Sequence, residues 1–441
     1  MSVTTHSFGT VVALPSEGVV DNADSGENNP NAPYPRDVTR FTCWDFARSR
    51  YPSSTIIESP NQGRCSYTLL LPKDNTILQF RPPTHRLDLD ITTAARTVFG
   101  ELVPSTRFLG VINPAAVVCG SGGGSETDPL RHCKKTMIAY ASSMIKGTPL
   151  ASLPASLLLS TPQQFESIVR SLARHYFAPS YHHASPSTTA EAAAPPKRKV
   201  GFTLHERLTQ LKTNLPPRFT PVVTHIADVL EAEIETGLPW ALTHGDLLGG
   251  AGNLLVSVSV SSSSSDSHSS HSHFHSHSHS HSHSHSRHFK DDDDDGDDND
   301  SEPVRRGGEK EKIQVRLTGL VDWAEGEWLP FGVGLYGLEE VLGRTVDHDD
   351  DTKKFEYYPD AERLRGVFWE ELGRAVPELV GDSVLRGRVE MARLLGLLLW
   401  YGIAFDDGAL NRVVEPGKDD EELQKLDLFL LGAGHEDCRA S

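Results

Sequence analysis

His244-Gly245-Asp246 and Asn253 fall within one short stretch of this chain, and Asp322 closes another, Leu317-Thr-Gly-Leu-Val-Asp-Trp323. In the first stretch an apolar entry, Trp240-Ala-Leu-Thr243, leads to a carboxylate on a glycine-containing loop; an amide comes next, then Leu254-Leu-Val256. A carboxylate so placed can orient an acceptor hydroxyl and take its proton. An amide oxygen and a second carboxylate at the end of a strand can hold magnesium against phosphates. A base with two metal ligands is the set that phosphoryl transfer requires. Other phosphate signatures are missing. No GxxxxGK[ST] occurs, and Gly120-Ser-Gly-Gly-Gly-Ser125 has no lysine, which makes it a flexible loop.

The elements that must hold these residues can be read from hydrophobic period. Ser66 to Leu71 and Thr76 to Arg81 read as strands joined by the turn-forming Pro72-Lys-Asp-Asn75. Leu87 to Gly100 reads as a helix, with Asp88 or Asp90 favouring its start and Gly100 its end. Val111 to Cys119 and Thr136 to Met144 are apolar enough for two further strands. Beyond them the period becomes helical. Val222, Val223, Ile226, Val229, Leu230 and Ile234 show it, as do Leu364, Val367, Phe368 and Leu372, and then Val389, Leu394, Leu397 and Leu398. This order predicts a small strand-rich part followed by a larger helical one.

Three segments stand apart. Residues 1–40, rich in Asn, Pro, Gly and Ser, are expected to be a disordered lead. Residues 179–202 form a Ser-, Ala- and Pro-rich insertion whose Lys197-Arg-Lys199 is either a solvated linker charge or an import signal. Residues 257–312 carry serines, a His-Ser alternation from His271 to His285, and Asp291 to Asp295. They lie between Leu254 to Val260 and Ile313 to Leu317, which alternate like the arms of a hairpin. Loop closure grows only logarithmically, so stretching a tight turn to this length costs about 2 kcal/mol. The alternating imidazoles could chelate zinc, nickel or copper; the other reading is a low-complexity expansion in a tolerant loop.

At 441 residues the chain is too long for one core, and its net charge of −18 argues against a nucleic-acid partner. A third of that imbalance sits between Ser257 and Lys312, where twelve acidic residues face six basic ones. Five cysteines, Cys43, Cys65, Cys119, Cys133 and Cys438, form no CxxC pair and suit a reducing compartment. The N-terminal residues lack a basic start and an apolar core, and Leu394 to Ala404 is too short to span a bilayer. A soluble cytoplasmic protein, without a membrane partner, is expected.

With these residues in view, the sequence resembles the aminoglycoside phosphotransferase and choline kinase-like family, relatives of the protein kinases, and particularly its fungal members. The likeness rests on His244-Gly245-Asp246 with Asn253, and on Leu320-Val321-Asp322-Trp323 followed by Pro330-Phe331-Gly332. Weaker matches are Ile77-Leu-Gln-Phe-Arg81, Val103-Pro104, Met144-Ile-Lys-Gly147 and Leu364-Arg-Gly-Val-Phe-Trp369. The matches cover most of 41–150 and 203–432 outside the insertion. The resemblance implies an α+β, two-lobed protein-kinase-like fold. Residues 41–148 would form a small antiparallel-sheet N-lobe that binds ATP, and 149–441 a mainly helical C-lobe that takes a small-molecule acceptor.

By the same resemblance Asp246 is the catalytic base, His244 braces its loop, and Asn253 and Asp322 bind Mg2+. Gly63 and Ser66, in Gly63-Arg-Cys-Ser66, either cover the phosphates or simply turn into the strand. Gln79 falls where the family usually has a phosphate-gripping lysine, and Arg81, on the same side of the strand, can grip phosphate instead. Tyr140 and Met144 are expected to line the nucleotide site near the interlobe link. Asp246 and Asn253 are seven apart where the family usually has five. An ATP-dependent phosphotransferase is implied; the alternative is a pseudokinase that binds without transfer. Neither the acceptor nor an oligomeric state is specified.

Overall fold

The computed structural model describes residues 38–60, 62–63, 65–113, 136–154, 162–184, 203–247, 252–261, 312–348, 353–406 and 409–432. The chain divides into two units. One comprises Phe8–Val258 with Val315–Ser441 and holds the sheet, the helices and the candidate site; the other comprises Met1–Ser7 with Ser259–Gln314.

Strands β1 (Ile57–Glu58), β2 (Tyr67–Leu71), β3 (Thr76–Arg81), β4 (Thr106–Ile112) and β5 (Met137–Ser143) form a sheet in the order β1-β2-β3-β5-β4, antiparallel throughout. Alternation decides its two faces. Leu69, Leu71, Leu78, Phe80, Met137, Ala139 and Ala141 point to one side, where Cys43 and Ala47 of helix α1 (Val38–Arg50) complete a core. The opposite side carries the polar residues. Thr68, Gln79 and Tyr140 stand directly across from one another on three strands, and Arg81 lies one alternation further along.

Helix α2 (Leu89–Phe99) begins where Asp88 Oδ1 accepts from the amides of Asp90 and Ile91, and stops at Gly100, whose φ of 58° ends the turn. Its buried stripe is Ile91, Thr92, Ala95 and Phe99.

The remainder is mainly helical. Helix α3 (Pro162–Leu172) continues through a π turn into α4 (Ala178–His182), followed by α5 (Leu204–Asn214) and α6 (Thr220–Val229). After the strands of the candidate site come α7 (Tyr336–Val341), α8 (Ala361–Ala375), α9 (Glu378–Gly381), α10 (Ser383–Tyr401) and α11 (Asp420–Leu426). The apolar run in α10 is core: every residue from Ala392 to Tyr401 is buried. Among the described residues no helix is long and apolar enough to cross a membrane.

The fold corrects several expected boundaries. The strand expected over Val111 to Cys119 lies instead at Thr106–Ile112, because pairing with β5 runs from Thr106↔Ser142 to Ile112↔Met137. The apolar residues after 113 gave the stronger hydrophobic signal, but they lie outside the described residues. Pro179 to His182, assigned to the first insertion, are helical and continue the chain out of the π turn that precedes them. Strands continue to Ser261 and start again at Lys312, so the second insertion is shorter at both ends than expected. Helix α1 was not anticipated, and its start at Val38 overlaps the expected lead. Residues 1–37, the Gly120–Ser125 loop, Lys197–Lys199, the His-Ser and Asp runs and Gly249-Gly250 lie outside the described residues.

Candidate active site

Two strand pairs bring the chemistry-bearing loops together. β6 (Thr148–Pro149), β8 (Leu254–Ser261) and β9 (Lys312–Leu320) form a sheet in that order, while β7 (Trp240–Thr243) pairs antiparallel with β10 (Glu327–Pro330). The loop from β7 to β8 carries His244, Asp246 and Asn253; the loop from β9 to β10 carries Asp322. Each loop is therefore tied to the other at both ends. The Val321 amide donates to the Asn253 carbonyl at 3.0 Å and extends the tie into the loops.

His244 makes the central connection. It is fully buried; its Nδ1 accepts the Asp246 amide at 3.2 Å, so Nε2 carries the hydrogen and donates to the Val321 carbonyl at 2.8 Å. Burial drives its pKa down to about 4, against the Val321 bond and the charge of Asp322, which pull the other way. The ring is thus a neutral strut between the Asp246 turn and the strand end at Asp322. Its own amide donates to Tyr176 Oη at 2.9 Å, and its ring lies 4.6 Å from that of Trp323.

Gly245 adopts a φ of 79°, and a Cβ there would lie 2.1 Å from the Glu325 carbonyl oxygen. Both the conformation and the close approach require glycine. Trp400 Nε1 donates to the Gly245 carbonyl at 2.7 Å, and Tyr336 Oη accepts the Leu247 amide at 3.1 Å. These two rings stack with centroids 4.3 Å apart, so α7 and α10 grip the loop together. Glu339 of α7 is ion-paired with Arg393 of α10 at 3.2 Å and with Arg365 of α8 at 2.7 Å. Burial alone would raise its pKa, but the two guanidinium groups outweigh that and hold it below the usual range. Glu340 accepts from Tyr401 at 2.7 Å and Lys425 at 3.2 Å.

The Asp246 carboxylate is pushed up to about 6, first by burial and then by the charge of Asp322, with a smaller push from Glu325; a hydrogen bond from Asn253 opposes them. Asn253 Nδ2 donates to both Asp246 Oδ2 at 3.0 Å and the Asp246 carbonyl at 2.8 Å. The seven-residue spacing therefore does not part the amide from the carboxylate. With its NH2 engaged, Asn253 has its amide oxygen left as a ligand atom.

Asp322 sits in the left-handed region at φ 60°, ψ 68°, a conformation that aspartate tolerates better than most residues. Arg81 Nη2 donates to its Oδ1 at 3.1 Å, leaving the second carboxylate oxygen for other partners. One free oxygen each on Asp322 and Asn253 fits magnesium, which takes one or two protein oxygens and completes its shell with phosphates and water. Among the described residues no three His, Cys, Asp or Glu side chains are grouped closely enough to hold an ion by themselves.

The structure thus gathers five of the expected residues: His244, Asp246, Asn253, Asp322 and Arg81. Gln79 and Tyr140 share the polar face of the sheet with Arg81, and the Tyr140 hydroxyl accepts the Leu87 amide at 3.1 Å. Ser66 is buried near exposed Gly63 in the β1–β2 connection, which Gln62 fastens by bonding both the amide and the carbonyl of Thr68. Met144 stands at the other end of the sheet, its amide on the Asn75 carbonyl, about 20 Å along the strands from Arg81. Sequence reasoning missed Tyr176, Tyr336, Trp400 and Glu325. Only Trp323, beside Asp322, had a local signal. It also missed Phe108, an exposed ring directly across from Tyr140.

A groove lined by Glu166, Ser167, Arg170, Ser171, Arg174 and His175 lies on α3 and its π turn. Arg170 and Arg174 are both engaged by buried Glu371, so the groove offers a paired network in place of catalytic groups.

No family model matches the sequence, and no curated protein matches it. Among solved structures, an aminoglycoside-3'-phosphotransferase of type VIII is similar at 15% identity and a TM-score of 0.36, over 80% of this chain and 96% of that one. An aminoglycoside phosphotransferase from Streptomyces rimosus is similar at 11% and 0.38, over 81% and 97%. A microcompartment-associated aminopropanol kinase is similar at 12% and 0.39, over 87% and 94%. Similarity this loose does not carry residue roles from those proteins to this chain.

Proposed function

We propose that this chain is a phosphotransferase that moves the terminal phosphoryl group of ATP, with magnesium, onto a hydroxyl or amine of a small molecule. The observation that carries this reading is Asp246: a buried carboxylate with pKa about 6, held by Asn253 and strutted through His244 to the strand end at Asp322. Such a group is charged at neutral pH yet basic enough to accept a proton from an attacking hydroxyl. Asn253 aims it, and Trp400 and Tyr336 hold the loop that presents it. Asn253 and Asp322 would hold magnesium, which when bound supplies charge neutralisation to the phosphates. We read the sheet of residues 57–143 as the nucleotide-binding lobe of a protein-kinase-like fold, with Arg81 on the phosphates, and the helical part as the acceptor lobe.

The residues just after Asp322 favour a small acceptor. Only a short turn separates Asp322 from β10, and Phe331 to Leu335 are buried, so this stretch offers no extended platform for a protein substrate.

A second reading, nucleotide binding without transfer, is favoured by Arg81, which already neutralises Asp322. Thermal unfolding with and without Mg-ATP comes first; a well-folded sample that shows no shift would count against both readings. ADP release measured across a panel of small alcohols and amines then separates them. Turnover abolished by Asp246→Asn supports transfer, and a nucleotide-induced shift without turnover on any acceptor supports binding alone.

A further inference from the structure

Arg81 reaches Asp322 through a single nitrogen, although the residue is only 3% exposed and its Nε has no hydrogen-bond partner among the described residues. Neighbouring α2 supplies no second counter-charge: Asp88 is engaged in capping the helix, and Asp90 is exposed in its first turn. The two partners differ in their access to water. The Asp322 side chain is 42% exposed and can be hydrated, whereas the buried cation depends on its counter-ion. A bare divalent cation approaching Asp322 would meet a like charge and compete for that counter-ion. A polyphosphate does the reverse. Its oxygens can replace Asp322 as the acceptor of the guanidinium, and Asp322 is then released toward a metal.

We propose that Arg81 is an ordering residue: it closes Asp322 to free divalent cations and yields it only to a nucleoside polyphosphate, so that metal enters with the nucleotide and not ahead of it. The identity of the anion rests on the phosphoryl-transfer reading; the latch on Asp322 is read from the two side chains alone. A second consequence is that the guanidinium supplies counter-charge to the phosphates itself. Nucleotide therefore binds this site measurably without metal.

Two binding measurements on the full chain test this: Mn2+ alone, followed by electron paramagnetic resonance, and ATP with a chelator, followed by calorimetry. The variants are Arg81→Gln and Arg81→Lys, and Asp322→Asn is made in each of them and in the wild type. Subtracting the paired variant isolates Mn2+ held by Asp322 from any bound by the His-Ser and Asp runs. Removing the arginine leaves behind a carboxylate that water can solvate, and a cooperative melt confirms that the variant folds. Arg81→Gln is expected to gain about tenfold in Asp322-dependent Mn2+ affinity and to lose about tenfold in metal-free ATP affinity, with Arg81→Lys near wild type in both. Equal Asp322-dependent Mn2+ binding in wild type and Arg81→Gln would overturn the latch. No ATP binding by any form, together with the Mn2+ gain, would leave the latch standing and overturn the phosphoryl-transfer reading.

Discussion

Replacing Asp246 with asparagine should make the protein more stable while nearly abolishing transfer. The carboxylate has a pKa raised from 3.8 to about 6, so at pH 8 the fold holds a charge that the unfolded chain accommodates more easily. Two pKa units correspond to about 3 kcal/mol. Asparagine has the same shape, and its carbonyl oxygen can still accept from Asn253 Nδ2. The variant should therefore recover about 2–3 kcal/mol, a rise of roughly 3–6 °C in Tm for a chain of this length. A raised folded pKa means that the wild-type contribution is fully present below 3.8 and is lost as pH rises through 6. The gap between variant and wild type should thus be widest above pH 6 and narrow as pH falls toward 4. Removal of the base should lower kcat by about 10²–10⁴. Denaturant unfolding from pH 4.5 to 8, with ADP release on the same samples, measures both. A variant less stable than wild type at pH 8, or a gap flat with pH, would refute the desolvated carboxylate. An unchanged kcat would refute its role as base.

Three further substitutions test the surroundings. Gly245→Ala puts a Cβ against the Glu325 carbonyl in a left-handed conformation and should cost about 2–4 kcal/mol, read as a lowered Tm. Trp400→Phe keeps the stack on Tyr336 but strips the Gly245 carbonyl of its donor; the loss should be about 1–3 kcal/mol, with kcat falling more than nucleotide affinity. Asp322→Ala leaves the buried Arg81 cation uncompensated. It should destabilise by about 3–5 kcal/mol in denaturant unfolding and remove any dependence of nucleotide binding on magnesium.

The parts of the fold set by local chemistry were legible. Asp88, Gly100 and the Pro72–Asn75 turn marked their boundaries because capping and turn geometry act over a few residues. The candidate site was half legible. His244-Gly245-Asp246, Asn253 and Asp322 stand in a recognisable order, and the structure brings them together. What the order could not reveal is whether Asn253 reaches Asp246 over the longer loop, since that depends on how β7 meets β10 and β8 meets β9. Nor could it reveal Arg81 on Asp322. Strand alternation places Arg81 on the polar face, but its partner lies 241 residues away. Tyr176, Tyr336 and Trp400 were unreadable for the same reason. In sequence they look like ordinary core aromatics, and only packing shows that each also hydrogen-bonds the backbone of the loop that carries Asp246.

The bonds that hold this loop have a kinetic consequence. They join residues 68, 77, 89 and 155 positions apart, in addition to the far longer reach of Arg81. Each requires distant stretches of chain to be gathered before it yields any stabilisation, whereas the helices need only their neighbours. On refolding, helical signal should therefore return early, and the buried, basic Asp246 should come into being only as the last long-range contacts close. Until then its carboxylate is hydrated and titrates like any other. The proposed binding and transfer at this site would belong to the finished chain, and their recovery would time the closing of these contacts.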